Sequence, residues 1–274
     1  MKEPECSEFL RWCLPRLRFR WPGFRKVRKQ VCKRLGRRIA ELGLEGVIAY
    51  REYLERHAEE WRMLDSLCRI TISRFYRDRG VFDVLRTHIL PSLARHAVSG
   101  GEEEVRCWSA GCCSGEEAYT LQIIWKLCVM RAEGRDIPLR IIATDTDDEL
   151  LERAGEGLFE ESSLRDLPPE LIRQAFEHSG RFYALLKDFR QNIEFAKQDI
   201  RMELPGGSFH LILCRNLVFT YFEESLQRGF LERISGSLLP GGFFITGIHE
   251  LLPPGEFNLK PYGGIQGIYR KPAS

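Results

Sequence analysis

The chain has 274 residues, of which 43% are hydrophobic and 29% charged, and its formal net charge is only +2. These values exclude disordered and fibrous classes, and the length suits one ordinary domain plus a smaller one, at ~100 to 200 residues per domain. The longest apolar runs, 209–214 and 242–246, have strand length and fall far short of the ~20 residues that span a bilayer.

No membrane insertion is therefore expected. Glu3 and Glu5 followed by Arg11 and Arg16 do not read as a secretory leader, so the expected compartment is the cytoplasm. Nine cysteines form an odd count without CxxC or Cys/His ligand spacing. They are expected to be reduced thiols packed in apolar surroundings, with no metal site. The vicinal pair Cys112-Cys113 stands apart because it falls in a candidate functional loop.

Twelve Lys or Arg and no Asp or Glu lie between Phe9 and Ala40, which makes the basic end a candidate docking surface. Within it Phe24, Val27, Val31, Leu35, Ile39 and Leu42 recur at helical steps, predicting one amphipathic helix with basic residues on its other face. Gly43 and Gly46 interrupt it, and Val47, Tyr50, Leu54, Leu64 and Cys68 carry a helical rhythm on towards Ile72. Residues 1–78 are thus predicted as an all-helical domain. Asp78 is the expected cap of a linker helix over 79–98, with Pro91 as a kink.

From Ser99-Gly100-Gly101 onward, short apolar runs alternate with helices, the signature of a parallel α/β sheet filling 99–274. Strands are predicted at 105–110, 139–144, 193–196, 209–214 and 242–246, with helices at 116–133, 148–155 and 223–238. A closing hairpin is expected within 257–270. Between the second and third strands an insert of about 158–192 is expected to hold a short helix after Pro168-Pro169 and a strand pair over 181–189.

Ligands of open α/β sheets sit beyond the carboxyl ends of the strands. The first strand runs into Gly111-Cys112-Cys113-Ser114-Gly115 and then Glu116-Glu117, a small-residue turn that admits close backbone approach. It lacks GxGxxG spacing, and paired acids at the helix start repel a pyrophosphate but suit a cation. S-adenosylmethionine (SAM) carries a sulfonium and an ammonium. The second strand ends in Thr144-Asp145, where an acid can accept from both hydroxyls of a ribose. The third ends near Gln198-Asp199-Ile200, placed to flank an adenine, and the fourth in Cys214-Arg215-Asn216-Leu217, followed by Thr220-Tyr221.

The segments TISRFYRD (71–78), RCWSAGCCSGEEAYTLQ (106–122), ATDTDDELLERAGEGLF (143–159), FHLILCRNLVFTYF (209–222) and LLPGGFFITGIHELLP (238–253) together resemble the chemotaxis receptor methyltransferases, the CheR family. The resemblance spans about 24–270. It implies a Rossmann-like SAM-dependent methyltransferase sheet, a small helical N-terminal domain and a small β-subdomain insert. It also implies O-methylation of glutamate side chains on chemoreceptor helices.

Carried over position by position, Glu116 would hold the methionine ammonium, Asp145 the ribose, and Asp199, Ile200 and Asn216 the adenosine region. Ala110, Gly111 and Leu217 complete the expected cofactor-binding set. Thr71, Ser73 and Arg77 match a motif lining the cofactor and the methyl-transfer site. Arg215 and the tyrosine after it match positions facing the methyl group, so Arg77, Arg215 and Tyr221 are the expected catalytic residues. His249-Glu250 is expected to be structural or to edge the cofactor pocket.

Three departures qualify the match. The family's tyrosine follows CRN after three residues, a position held here by Thr220, with Tyr221 one later. Cys113-Ser114 replaces two small hydroxylated residues and is expected to make the turn more reactive. The segment 176–190 is shorter than in members that grip a receptor's tail peptide, which argues against tail-peptide docking. Acidic receptor helices are the expected partner of the basic end, in preference to nucleic acid. Two alternatives remain open on sequence: a related methyltransferase acting on another protein or a small molecule, and a SAM-sensing or nucleic-acid-docking module without turnover.

Overall fold

The structure, a computed structural model, describes residues 3–133 and 137–273. Helices α1 (Glu3–Cys13), α2 (Trp21–Phe24), α3 (Arg28–Glu41), α4 (Val47–Arg56) and α5 (Glu60–Cys68) come first, and then α6 (Arg79–Val84) and α7 (Leu90–Ser99). Strand β1 (Val105–Ala110), α8 (Glu116–Ile124), α9 (Met130–Glu133), β2 (Leu139–Asp145) and α10 (Asp148–Glu156) follow. The insert holds β3 (Leu158–Glu160), α11 (Glu161–Leu164), α12 (Pro169–Ala175), β4 (Phe176–Ser179) and β5 (Phe182–Leu185). The chain closes with β6 (Ile193–Lys197), β7 (Phe209–Leu213), α13 (Val218–Tyr221), α14 (Glu224–Ser237), β8 (Leu238–Ile245), β9 (Lys260–Pro261) and β10 (Ile268–Arg270).

Two compact units result: Met1–Thr71 with Leu217–Gln227, and Ile72–Asn216 with Arg228–Ser274. The boundary differs from one at 78 because Phe75 and Tyr76 are fully buried in the core of the second unit, with Val81, Phe82 and Leu85 of the helix expected as a linker. That helix contains a π turn at Leu85–Ile89 just ahead of Pro91, whose missing N–H removes a bond from the α ladder.

In the helical unit, α1 buries Cys6, Phe9, Leu10 and Cys13, and α3 buries Val31, Leu35 and Ile39. The apolar spacing of α3 is the predicted one, but the single helix expected over 24–42 breaks after Phe24. There Gly23 lies against the Thr220 carbonyl, where a Cβ would come within 2.2 Å of the oxygen. Cys6 and Cys32 form a disulfide between α1 and α3, which corrects the expectation that all nine cysteines are reduced. Their 26-residue separation carries no spacing signal; only the crossing of the two helices, with Cα atoms 6.0 Å apart, brings them together. The other seven cysteines are free thiols.

The second unit is built on a seven-stranded sheet in the order β6-β2-β1-β7-β8-β10-β9. The first five strands are parallel, and β10 joins β8 and β9 antiparallel, as the closing hairpin. Every residue of β7 and all but Arg106 of β1 are buried, as expected of strands covered on both faces. The sheet is thus Rossmann-like, with the order reversing between β1 and β7, so the crevice beyond their carboxyl ends is the expected ligand position. The insert forms a separate antiparallel sheet, β3-β5-β4. Its hairpin joins 176–179 to 182–185 rather than falling over 181–189, because Gly180 (φ 62°) makes the reversal and Lys187–Arg190 turns into a 3-10 helix.

Candidate functional site

The turn after β1 alternates through left-handed backbone at Gly111 (φ 76°), Cys113 (φ 49°) and Gly115 (φ 87°). Glycine takes these angles freely, whereas a non-glycine residue there stores ~1 to 3 kcal/mol and marks a turn shaped for a purpose. The turn is tied to the end of β2: the Gly111 and Cys112 amides donate to the Thr144 carbonyl at 2.8 and 3.0 Å. The Cys113 amide donates to Asp145 Oδ2 at 2.9 Å.

Asp145 collects two further amides on Oδ1, from Thr146 (2.7 Å) and Asp147 (3.2 Å), and among the described residues no Lys or Arg pairs with it. Burial pushes its carboxyl above the ordinary aspartate range despite those three amides. Asp147 does the capping of α10, accepting from Glu149 and Leu150, so Asp145 is not needed as a helix cap. Glu116 opens α8, is 4% exposed, and receives the Ser114 hydroxyl at 3.0 Å on each carboxyl oxygen. It too has no cationic partner among the described residues. The turn therefore concentrates two uncompensated carboxylates.

The end of β6 joins the same place, the Gln198 amide donating to the Asp145 carbonyl oxygen at 2.8 Å. Asp199 is neutralised by Arg201, which reaches it through Nε and Nη2 at 2.7 to 3.1 Å. Ile200 is buried beside it. Gln198 Oε1 is buried without a hydrogen-bond donor among the described residues. An acceptor of that kind suits an exocyclic amino group such as adenine's.

Arg215 follows β7 and is 8% exposed. Its Nη1 donates to Glu117 Oε2 at 3.0 Å and its Nη2 to Asp78 Oδ2 and the Arg77 carbonyl, both at 2.7 Å. Glu117 in turn accepts from Ser109 at 2.8 Å, and Phe82 lies under the guanidinium with its centroid 5.0 Å away. Asp78, expected to cap the following helix, makes no capping bond because Arg215 engages its carboxylate.

Tyr76 (φ 57°) and Asp78 (φ 62°) are both left-handed. The Tyr76 amide is held by Thr120 Oγ1 at 3.1 Å, so Arg77 is presented from a fixed, strained bend. The Arg77 side chain itself is half-buried and donates to the Ile72 carbonyl. Ser73 lies on the same stretch. Asn216 (φ 56°) is fixed by Glu250, whose Oε2 accepts from the Asn216 and Gly247 amides at 2.8 and 2.7 Å. Ala110 is buried at the end of β1.

Thr71, Leu217 and Tyr221 belong to the helical unit. Arg34 approaches Thr71 Oγ1 at 3.5 Å, and the Tyr221 ring lies edge-on to Phe24 with centroids 5.1 Å apart. Burial, with Asp145 and Glu116 nearby, pushes the Cys113 thiol up, away from the thiolate that would make the turn reactive.

SAM fits this donor set. Two carboxylates without counter-ions, a strained small turn and an orphaned acceptor at the end of β6 answer a cation, a close-lying backbone contact and an amino group.

The family described as CheR methyltransferase, SAM binding domain, matches residues 71–262. The chain belongs to that family. It is 33% identical over 227 residues to a probable chemotaxis protein methyltransferase of Rhizobium etli, covering 80% of this chain and 83% of that one. It is 30% identical to the chemotaxis protein methyltransferase of Listeria innocua, over 77% of this chain and 79% of that one. A 104.1 kDa protein of Rhodobacter capsulatus is 32% identical over 81% of this chain, which spans only 23% of that protein.

Membership in the CheR family makes the chain a SAM-dependent methyltransferase, and favours catalysis over a sensing or nucleic-acid role. No described helix is long and apolar enough to cross a membrane. Sequence reasoning missed Glu117 and Asp78 as the clasp on Arg215, although Glu117 carried a local signal as the second of two acids at a helix start. Gln198 lay in the stretch expected to flank an adenine and Glu250 in the pair expected to be structural, but neither the open acceptor nor the brace of Asn216 was read from them.

Proposed function

We propose that this enzyme methylates glutamate side chains on the helical cytoplasmic part of chemoreceptors. The observation that carries the cofactor side is the pair Glu116 and Asp145, buried or half-buried acids with hydroxyl and amide donors but no cation among the described residues. Glu116 takes the methionine ammonium, Asp145 the ribose hydroxyls, and Gln198, Ile200 and Asn216 the adenosine, with Ala110, Gly111 and Ser73 shaping the pocket and Asp199 acting through its pairing with Arg201; Thr71 and Leu217 keep the cofactor roles that the family resemblance implies.

When bound, SAM supplies a methyl group on a positively charged sulfur that leaves as a neutral thioether. A glutamate carboxylate has a pKa of ~4.3 and is already a nucleophile at neutral pH, so no general base is required. What the chain must supply is alignment, for which ~7 to 11 kcal/mol is available in favourable cases. Arg77, on its strained bend, is placed to hold the acceptor carboxylate. Arg215 is already engaged by Glu117 and Asp78, and contributes by fixing Arg77 through its carbonyl. Tyr221 supplies the hydroxyl facing the methyl group.

The basic end receives the acceptor. In α3, Val31, Leu35 and Ile39 face inward while Lys29, Lys33 and Arg37 are exposed, and Arg38 is committed to Glu60. An acidic helix is the complementary partner. Incubation with SAM and cytoplasmic fragments of chemoreceptors from the same organism should place a one-methyl mass increment on glutamate side chains. Modification confined to other residue types, or to none, would overturn the reading.

A further inference from the structure

After Asn216 the chain enters the helical unit and stays there through Gln227. The stretch 18–24 holds it. Phe19 and Phe222 form an isolated antiparallel bridge with ring centroids 5.5 Å apart, and the Glu223 amide donates to the Arg18 carbonyl at 3.0 Å. The Arg18 guanidinium reaches the Glu223 carboxylate at 2.7 Å.

Arg20 makes the central contacts. Its amide donates to the Tyr221 carbonyl at 2.8 Å, its Nε to the Thr220 carbonyl at 3.1 Å, and its Nη2 to the Phe219 carbonyl. These are the last carbonyls of α13, a single helical turn whose end leaves acceptors open and favours a cation. Gly23 completes the fit, since a Cβ there would come within 2.2 Å of the Thr220 carbonyl oxygen.

We infer that Arg20 is a positioning residue for methyl transfer, fixing through three successive carbonyls the turn that presents Thr220 and Tyr221. The inference rests on the reading of Tyr221 as a residue of the methyl-transfer site. One residue more than the family spacing separates Asn216 from the tyrosine, so the turn's conformation decides which hydroxyl is presented. A planar guanidinium spans two carbonyls at once, which an ammonium cannot do as well.

The test uses the full chain with Arg20→Ala, Arg20→Lys and Gly23→Ala. The Tyr221 and Phe222 amides bond to the Leu217 and Val218 carbonyls, so hydrogen exchange reads the turn directly. Arg20→Ala and Gly23→Ala should speed exchange at these amides by about tenfold or more, with Arg20→Lys between them and the wild type. On chemoreceptor cytoplasmic fragments kcat should fall about tenfold, with KM for SAM and calorimetric SAM affinity within about twofold of wild type.

Unchanged exchange in Arg20→Ala overturns the inference, as does faster exchange with kcat retained. A parallel loss of SAM affinity and folding overturns it too, by assigning Arg20 a purely structural role. A wild-type protein that methylates no fragment counts against the proposed acceptor instead, and the exchange measurement still decides whether Arg20 fixes the turn.

Discussion

Two acids, one buried and one half-buried, one in each unit, are treated in opposite ways. In the helical unit Glu60 is 4% exposed and fully matched: Arg38 grips it through Nε and Nη2 at 2.9 and 2.8 Å, and the Tyr50 hydroxyl donates at 2.8 Å. The Arg38 guanidinium holds its carboxyl below the ordinary range, with Tyr50 adding to the effect. In the second unit Asp145 receives only amides, and burial pushes its carboxyl up. The first arrangement stabilises the fold as it stands. The second leaves negative charge without a counter-ion, and the stabilisation it lacks is what a cationic, hydroxyl-bearing ligand supplies.

Breaking the matched pair should produce the largest effect on stability. Glu60→Gln should lower unfolding stability by about 2 to 3 kcal/mol, less than the ~3 to 5 of a fully buried pair because Arg38 keeps about a quarter of its side chain in water. Denaturant titration reads this, and SAM affinity should be unchanged. Asp145→Asn should do the reverse. It should weaken SAM binding about tenfold or more, ~1.4 kcal/mol by calorimetry, while changing the melting temperature little, because a charge penalised by burial is removed together with one of its amide hydrogen bonds. Equal destabilisation by both variants would erase the contrast.

Acidification should separate the two units further. The lowered Glu60 contributes stability that is fully present above the unfolded glutamate pKa of ~4.3 and is lost as pH falls through its lower folded value. For Asp145 the folded value is the higher one. Its ionised form therefore costs stability as pH rises through that value, and its protonation on acidification removes the charge that SAM contacts require. SAM affinity should decline at a higher pH than the one at which the helical unit loses stability, as followed by calorimetry beside circular dichroism. The smallest expected effect separates the two candidate hydroxyls: Tyr221→Phe should lower kcat by about tenfold and Thr220→Ala by less than about threefold.

How much of this was legible in the sequence follows from the range of the interactions. The strands at 105–110 and 209–213 and the inward face of α3 could be read directly, because their spacing reflects contacts every second, third or fourth residue. The turn at 111–115 and Asp145 were equally visible, because small residues and an acid at strand ends have local reasons to be there. The Arg215 clasp was not, since its partners lie 98 and 137 residues away in sequence. Nor was the Cys6–Cys32 bond, which depends on two helices crossing, nor the brace of Asn216 by Glu250, 34 residues on. Asp78 shows the limit most plainly: its position before a helix suggests a cap, yet a distant arginine takes its carboxylate.

The central claim is tested most directly by incubating the protein with methyl-labelled SAM and chemoreceptor cytoplasmic fragments, then treating the labelled product with alkali. Glutamate methyl esters hydrolyse and release the label as volatile methanol, which is the predicted result. Label that stays on the protein through alkali, or no transfer at all, would contradict the account.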